Sequence, residues 1–468
     1  MAESAVQSDL TALDLESLAA DVVVLAVRGG ASDAEAVARE GDEFSVNVRM
    51  GQVETLKESG SRGLGLRVFL GTRSASVSTS DLTPDGIRRL VKGALALAKV
   101  TEEDPFTGLP EGAEFGSCIS IIGDLRLYDE DVYSLAGAER IEWARRAEAA
   151  ALEADPRITN SDGGSFDAAT GRKALANSRG FAGSYRTSYA GVSAAPLAKD
   201  ANGAMQRDGW WSSARRLADL ESPEAIGKEA ARRTLRRLGA RRVATQRVPI
   251  VFAPEVARSL VGSVFEAASG DAIWRGASFL AGRLDERIAS PALTIIDDNT
   301  MLLPSGMGGF GTSPFDGEGL PSLRTVVVEA GVLRNYLLNT YAARKLSMRS
   351  THNASRGLAG APGIGCGNLY LKPGTPTPEE ILAGVPEGLY VTSLMGFGVN
   401  VVTGDYSRGA TGLWIEKGQL THAVEEVTIA GNLADMLMNV TAIGNDLEFR
   451  GAVASPTLRI DGMTIAGA

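Results

Sequence analysis

The sequence predicts a mixed α+β fold whose C-terminal region is rich in strands. Two observations predict it. Alternating apolar and polar residues, broken by Gly-containing turns, recur from Asp33 to Trp211 and again beyond Arg247; this period of two marks half-buried strands. Among them lie a few punctuated helices, of which "LTPDGIRRLVKGALALAKV" is the clearest. There Thr83 suits the cap and Pro84 the first helical position, where its missing N–H costs nothing.

Taken in order, "DAEAVAREGDEFSVNVRMGQVETLKES" reads as strands around a Met-Gly-Gln turn, and "LGLRVFLGTRSASVSTSDL" continues the sheet. The Pro/Gly-rich stretch "EDPFTGLPEGAEFG", residues 103–116, is a connector. A helix follows from Ala136 to Ala154, then a strand-rich run from Thr159 to about Trp211 broken at "SDGG", "SRG" and "DANG". The helix from Pro223 stops near Gly239, with Glu224 and Glu229 early and arginines late, as the helix dipole favours. Beyond it, "RTVVVEAGVLRNYLL" and "TGLWIEKGQLTHAV" are hairpins with Glu-x-Gly turns. "GNLADMLMNVTAIGND" reads as a helix capped by Asn432, with Leu433, Met436, Leu437 and Val440 in one stripe. "TLRIDGMTIAGA" reads as an Asp-Gly hairpin. The expected modules are residues 1–115, 116–242 and 243–468.

A length of 468 residues suggests about two to four domains. With 44% hydrophobic and 22% charged residues, the chain can bury a sizeable core. A net charge of -10 disfavours nucleic acid and acidic membranes as partners. The seven arginines between 232 and 247 are therefore read as a solvated helix face running into a linker, with no aromatic residue between them. Cys118 and Cys366 match no disulfide or zinc spacing. The N-terminal stretch lacks a basic leader segment, and "LAADVVVLAV" is too short to cross a bilayer. These features predict a reducing, cytoplasmic location.

Candidate chemistry is sparse. His352 lies in the polar loop "RSTHNASRG" and His422 in a strand; the two cannot form a helical metal pair. "GMGGFG", Gly306–Gly311, matches a dinucleotide pattern, but Pro314 follows where a helix would have to start, so a plain glycine loop is expected. Asp297, Asp298, Asp316 and Glu318 are explained by turn chemistry. The helix after "VPIVFAPEVAR", in "SLVGSVFEAASGDAI", holds one acid, Glu266, and no histidine. In "TGDYSRGATG", Asp405, Tyr406, Ser407 and Arg408 stand between glycines. This loop either offers amides and an arginine fork to a peptide or closes on itself through Asp405 and Arg408.

"TGDYSRGATGLWIEKGQLTHAVEEVTIAGNLADMLMNVTAIGND" closely resembles the signature of the TldD/PmbA family, in its TldE (PmbA) branch. "STSDLTPDGIRRLVKGALALAKVTEEDPFTGLP" and "GTSPFDGEGLPSLRTVVVEAGVLRNYLLNTYAARKLSMRST" resemble its N- and C-terminal modules, so the likeness spans almost the whole chain. The resemblance implies an N-terminal α/β part with a twisted sheet and flanking helices, and a β-rich, barrel-like C-terminal domain. In this family TldD-type chains hold a metal through H-E-x-x-x-H and a later cysteine, whereas TldE-type chains lack these ligands. Aligned on Gly270-Asp271, Val261 and Glu266 stand at the histidines and Gly262 at the glutamate, while Ser455 is all that stands near the cysteine.

The resemblance thus implies a metal-free subunit of a cytoplasmic peptidase for unfolded peptides. It would hold no cofactor of its own, because zinc would sit in a TldD-like partner, and it could form a homodimer without that partner. Asp405, Tyr406, Ser407, Arg408 and His352 are the candidate peptide-binding or interface residues. Two other functions stay open: a metal-independent hydrolase using residues 405–408 or His352, and a regulator, as the older name "modulator of DNA gyrase" suggests.

Overall fold

The computed structural model describes residues 14–115 and 123–467; Cys118 lies outside them. Helix α1 (Leu15–Arg28) is capped by Asp14, whose carboxylate accepts from the amides of Glu16 and Ser17. Strands β1 (Asp33–Arg49) and β2 (Gln52–Leu70) form a long hairpin. Its turn residues Met50 and Gly51 both have positive φ, 49° and 76°, which matches the twist of the strands. After β3 (Arg73–Thr79) comes α2 (Pro84–Ala98), capped by Thr83 as expected. Helices α3 (Glu130–Ser134) and α4 (Gly137–Leu152) precede β4 (Ile158–Asn177), β5 (Ala182–Lys199), β6 (Met205–Arg207) and β7 (Trp210–Ala214); α5 (Pro223–Leu235) ends this half. All seven strands make one sheet in the order β3-β2-β1-β4-β5-β6, with β7 also on β5. Strands from both sides of the 103–116 connector therefore pair directly, β1 with β4.

Side-chain alternation gives this sheet two distinct faces. Ala34, Ala36, Ala38, Leu64, Leu66 and Val68 pack under α1 and α2, and Phe44, Val46, Phe166 and Val192 pack against α4 and α5. The opposite face carries Glu35, Val37, Arg39 and Gly41 of β1. At Val37 and Leu175 it meets Phe315 and Leu320 of the C-terminal half.

The C-terminal half opens with β8 (Gln246–Phe252), α6 (Pro254–Ala268) and α7 (Gly270–Trp274). Strands β9 (Ile295–Asp298), β10 (Arg324–Glu329) and β11 (Val332–Leu333) follow. Next come α8 (Thr340–Leu346), the bridge strands β12 (Ala354–Ser355) and β13 (Gly363–Ile364), β14 (Asn368–Leu371) and α9 (Pro378–Ala383). The chain ends with β15 (Glu387–Met395), β16 (Asp405–Glu416), β17 (Gln419–Asn432), α10 (Leu433–Met438), β18 (Val440–Ile443), β19 (Val453–Ala454) and β20 (Leu458–Ala466). Strands β17, β16, β15, β8 and β20 pair in sequence, and β20 pairs back to β17. This closes a five-stranded barrel filled by Ile250, Phe252, Val391, Tyr406, Val427, Ile429 and Ile460. A second sheet, β11-β10-β9-β14-β19, lies beside it.

Three expectations need correction. Helix α10 stops at Met438, and Val440 starts a strand on β20, because β-branched Val440, Thr441 and Ile443 complete the sheet better than a further helical turn would. Asp461-Gly462 is a bulge within β20, not a hairpin: the register slips between Ile460 and Met463, Gly462 has φ 76°, and the bend lets one strand serve both sides of the closure. The arginine run is not simply a solvated face. Arg233 is 5% exposed, ion-paired with Glu255, and its guanidinium carbon lies 4.5 Å from the centre of the Trp210 ring.

Candidate functional site

Helix α6 begins at Pro254 and packs beside β14, β15 and β19. Its apolar stripe includes Val256, Leu260, Val261, Val264 and Ala268. Val261 is 2% exposed and belongs to the main core. Gly262 faces open space, and Glu266 is exposed. Positions five apart on a helix lie about 140° around its axis, so Val261 and Glu266 do not face one point. Ser455 is buried, with its hydroxyl 3.0 Å from the Pro456 carbonyl. Burial and nearby Asp297 push the Cys366 thiol up to about 12, which keeps it protonated.

Residues 405–408 are not a loop. They begin β16 and pair with Asn432 to Ile429 of β17. The glycines that follow serve close strand approach: a Cβ on Gly412 would lie 2.0 Å from the Tyr390 carbonyl. Tyr406 is 2% exposed and sits inside the barrel, its hydroxyl beside the Arg408 guanidinium. Asp405 accepts from the Thr403 hydroxyl at 2.6 Å and does not pair with Arg408. Asp405 and Ser407 are exposed and Arg408 is partly buried. Beside them stand Met395 at the end of β15 and, in the loop before β16, Phe397 and Val402, with Phe397 102% exposed. His352 adopts φ 59° and places Nδ1 2.7 Å from the Pro321 carbonyl, so Nδ1 carries the proton and donates. No hydrogen bond among the described residues joins it to β16.

Models of the PmbA/TldA metallopeptidase domains match in chain order: domain 1 at residues 34–98, the central domain at 130–238 and the C-terminal domain at 245–467. The metalloprotease PmbA of Escherichia coli O157:H7 is 37% identical over 95% of this chain and 94% of its own length. The chain belongs to the PmbA/TldD family. Its fold matches a proposed modulator of DNA gyrase from Bacteroides thetaiotaomicron, with TM-score 0.88 and 27% identity over 97% of this chain and 99% of the other. TldE from Thermococcus kodakarensis shares the fold with TM-score 0.85 and 19% identity, over 96% and 100% of the two chains.

A charged junction lies between the sheet and the C-terminal half. Glu35 of β1 is fully buried; it accepts from Arg67 at 3.3 Å, and its other oxygen is ion-paired with Nη1 of Arg356 at 2.7 Å. Next to them, Asp316 accepts from the amides of Glu318 and Leu320 with one oxygen and from the Ala354 amide with the other. Glu318 accepts from the amide and hydroxyl of Thr340. Burial, and for Glu318 also the neighbouring Asp316 charge, holds both carboxyls well above the usual carboxylate range. Asp297, bonded to Asn353 and the Gly367 amide, is likewise pushed up by burial, to about 6.

Turn chemistry accounts for Asp316 and Asp298, as expected. The convergence of Asp316 and Glu318 with Glu35, Arg67 and Arg356 was not expected. The one available signal was Glu35 itself, a charge inside the apolar run "DAEAVA".

A carboxyl with a raised folded pKa stabilises the fold at low pH. That contribution is complete below its ordinary value of 4.5 and is lost as pH rises through about 7 for Glu318. Glu318→Gln keeps an acceptor for Thr340 but removes the charge. It is expected to flatten stability across this window and to raise stability at the alkaline end by about 1 kcal/mol or more. Urea midpoints measured at both ends of the window check this; a variant with the wild-type slope would refute the assignment.

Proposed function

We propose that this chain is the metal-free subunit of a TldD/TldE-type peptidase complex that acts on unfolded peptides. In this reading a TldD-like partner carries the zinc and performs the hydrolysis. The observation that carries the proposal is the side chain of Val261. It stands where the family's metal helix would present its first histidine, and it is packed into the apolar core. The exposed Glu266 has no histidine beside it on the helix with which to hold a metal or share a proton. The name of the Escherichia coli relative supports a role in proteolysis.

The contact with the partner is assigned to the barrel side that carries Asp405 and Ser407 with exposed Met395, Phe397 and Val402, while Arg408, partly buried beside Tyr406, lies on the other strand face. A fully exposed phenylalanine rimmed by polar residues suits a buried anchor. Tyr406 would act there only through the barrel core, and His352 only through the Pro321 turn. The chain would work in the cytoplasm; among the described residues no helix is long and apolar enough to cross a membrane. Glu266→Gln is expected to leave the activity of the complex within a few-fold of wild type. A loss of roughly a hundredfold, the scale of a removed general base, would contradict the proposal.

A further inference from the structure

The inner face of the N-terminal sheet carries a row of side chains that the reading above does not use. Arg39 of β1 lies opposite Lys173 of β4, which lies opposite Tyr185 of β5. In the next row Gly41 faces Gly171, which faces Thr187, so the floor drops by two side chains. A cavity of about 240 Å³ lies between the first row and the C-terminal half, walled on the far side by Asn299, Phe310 and Ser355. It opens into a groove of about 500 Å³ over the glycine row, and that groove into a wider trough of about 820 Å³ near Arg172 and Tyr133. The spaces share walls: Arg39 and Lys173 line the first two, and Gly41 and Gly171 the last two.

The inner end is unusually short of partners. Lys173 makes no ion pair or hydrogen bond among the described residues; its ammonium lies 6.0 Å from the centre of the Tyr185 ring and within longer electrostatic reach of the Asp316 carboxylate. Arg39 donates Nη2 to the Arg356 carbonyl, while its buried Nε has no partner. Buried polar groups are normally satisfied, so such a set at a cavity wall points to a ligand. The acids nearby are engaged elsewhere. Asp316 spends its oxygens on three backbone amides, and Glu40 pairs with Arg172 at 2.9 Å.

We propose that this cavity is a subsite for the free C-terminal carboxylate of an extended peptide, with Lys173 and Arg39 as its cations and the glycine-floored groove holding the residues before it. A planar anion fits a space of this size between an ammonium and a guanidinium edge, and charge-assisted bonds are the strong ones. An extended chain needs a floor without side chains, which Gly41 and Gly171 supply. The choice of a peptide as ligand rests on the peptidase-subunit reading.

The test is fluorescence anisotropy of the full chain with one unfolded peptide in two forms, free acid and C-terminal amide. The free acid is expected to bind roughly tenfold or more tightly than the amide. Lys173→Met should erase that difference, and Lys173→Arg should keep it. Equal affinities for the two forms, or no binding of either, would overturn the subsite. Displacement by acetate as effective as by free-acid peptide would replace the peptide terminus with a small carboxylate and overturn the assignment. The two readings fail separately. If the chain joins a TldD-like partner yet ignores the terminal carboxylate, the subsite is wrong. If it prefers the free acid but joins no partner, the subunit role is wrong.

Discussion

Arg356→Met is expected to destabilise the protein by about 3–5 kcal/mol, the cost of breaking a buried ion pair from one side. Arg356 is 4% exposed and lies against Glu35, which is fully buried. Removing the guanidinium leaves Glu35 with Arg67 alone, at 3.3 Å. Arg39, which donates to the Arg356 main-chain carbonyl, keeps that bond in the variant. The loss should therefore be electrostatic, and pairing Arg356→Met with Glu35→Gln should recover part of it. Urea unfolding of the two single variants and the double variant closes the cycle. If Arg356→Met alone costs less than about 1 kcal/mol, in the range of an exposed pair, the junction does not join the two halves as described.

Arg215→Met is expected to cost about 3 kcal/mol or more, because a buried guanidinium here satisfies carbonyls and not a carboxylate. Arg215 is 6% exposed. Its Nε reaches the carbonyl of Gly308 at 3.0 Å, and its Nη2 those of Gly309 and Phe310 at 2.9 and 3.1 Å. Nη1 reaches those of Leu127 and Ser188 at 3.3 and 3.4 Å. With no acid beside it, burial pulls its pKa down to about 10. The residue fastens the "GMGGFG" loop to the sheet, so Arg215→Lys, a point charge without the planar fork, should lose most of the same stability. Hydrogen exchange should rise first at the amides of residues 306–312. Unchanged exchange there, with a stable Arg215→Lys variant, would show that the loop holds itself.

Local chemistry was legible where it acts over a few residues. The Thr83-Pro84 start, the Met-Gly turn, the Glu-x-Gly hairpins and the acidic turns at Asp298 and Asp316 all stand as the sequence reads. The α+β class was legible too, but barrel closure was not, because it depends on β20 meeting β17 after β20 bends at Gly462. Glycine content misled at residues 404–412. There, glycines let strands crowd together, and the same letters in a row read as a loop. The junction of Glu35, Arg67 and Arg356 draws on residues far apart in the chain, and no spacing rule links them. Lys173 and Tyr185 become neighbours only through the register of β4 on β5.

In the proposed reading this chain works as the metal-free half of a two-chain peptidase. Co-expression with a TldD-like chain, followed by size-exclusion chromatography and a peptide-cleavage assay with and without chelator, tests it most directly. The proposal predicts co-elution at micromolar concentration, through an interface on the order of 2,000 Å². It also predicts cleavage by the complex that chelator abolishes, and none by this chain alone. Separate elution of the two chains, or cleavage by this chain alone that survives chelator, would contradict it.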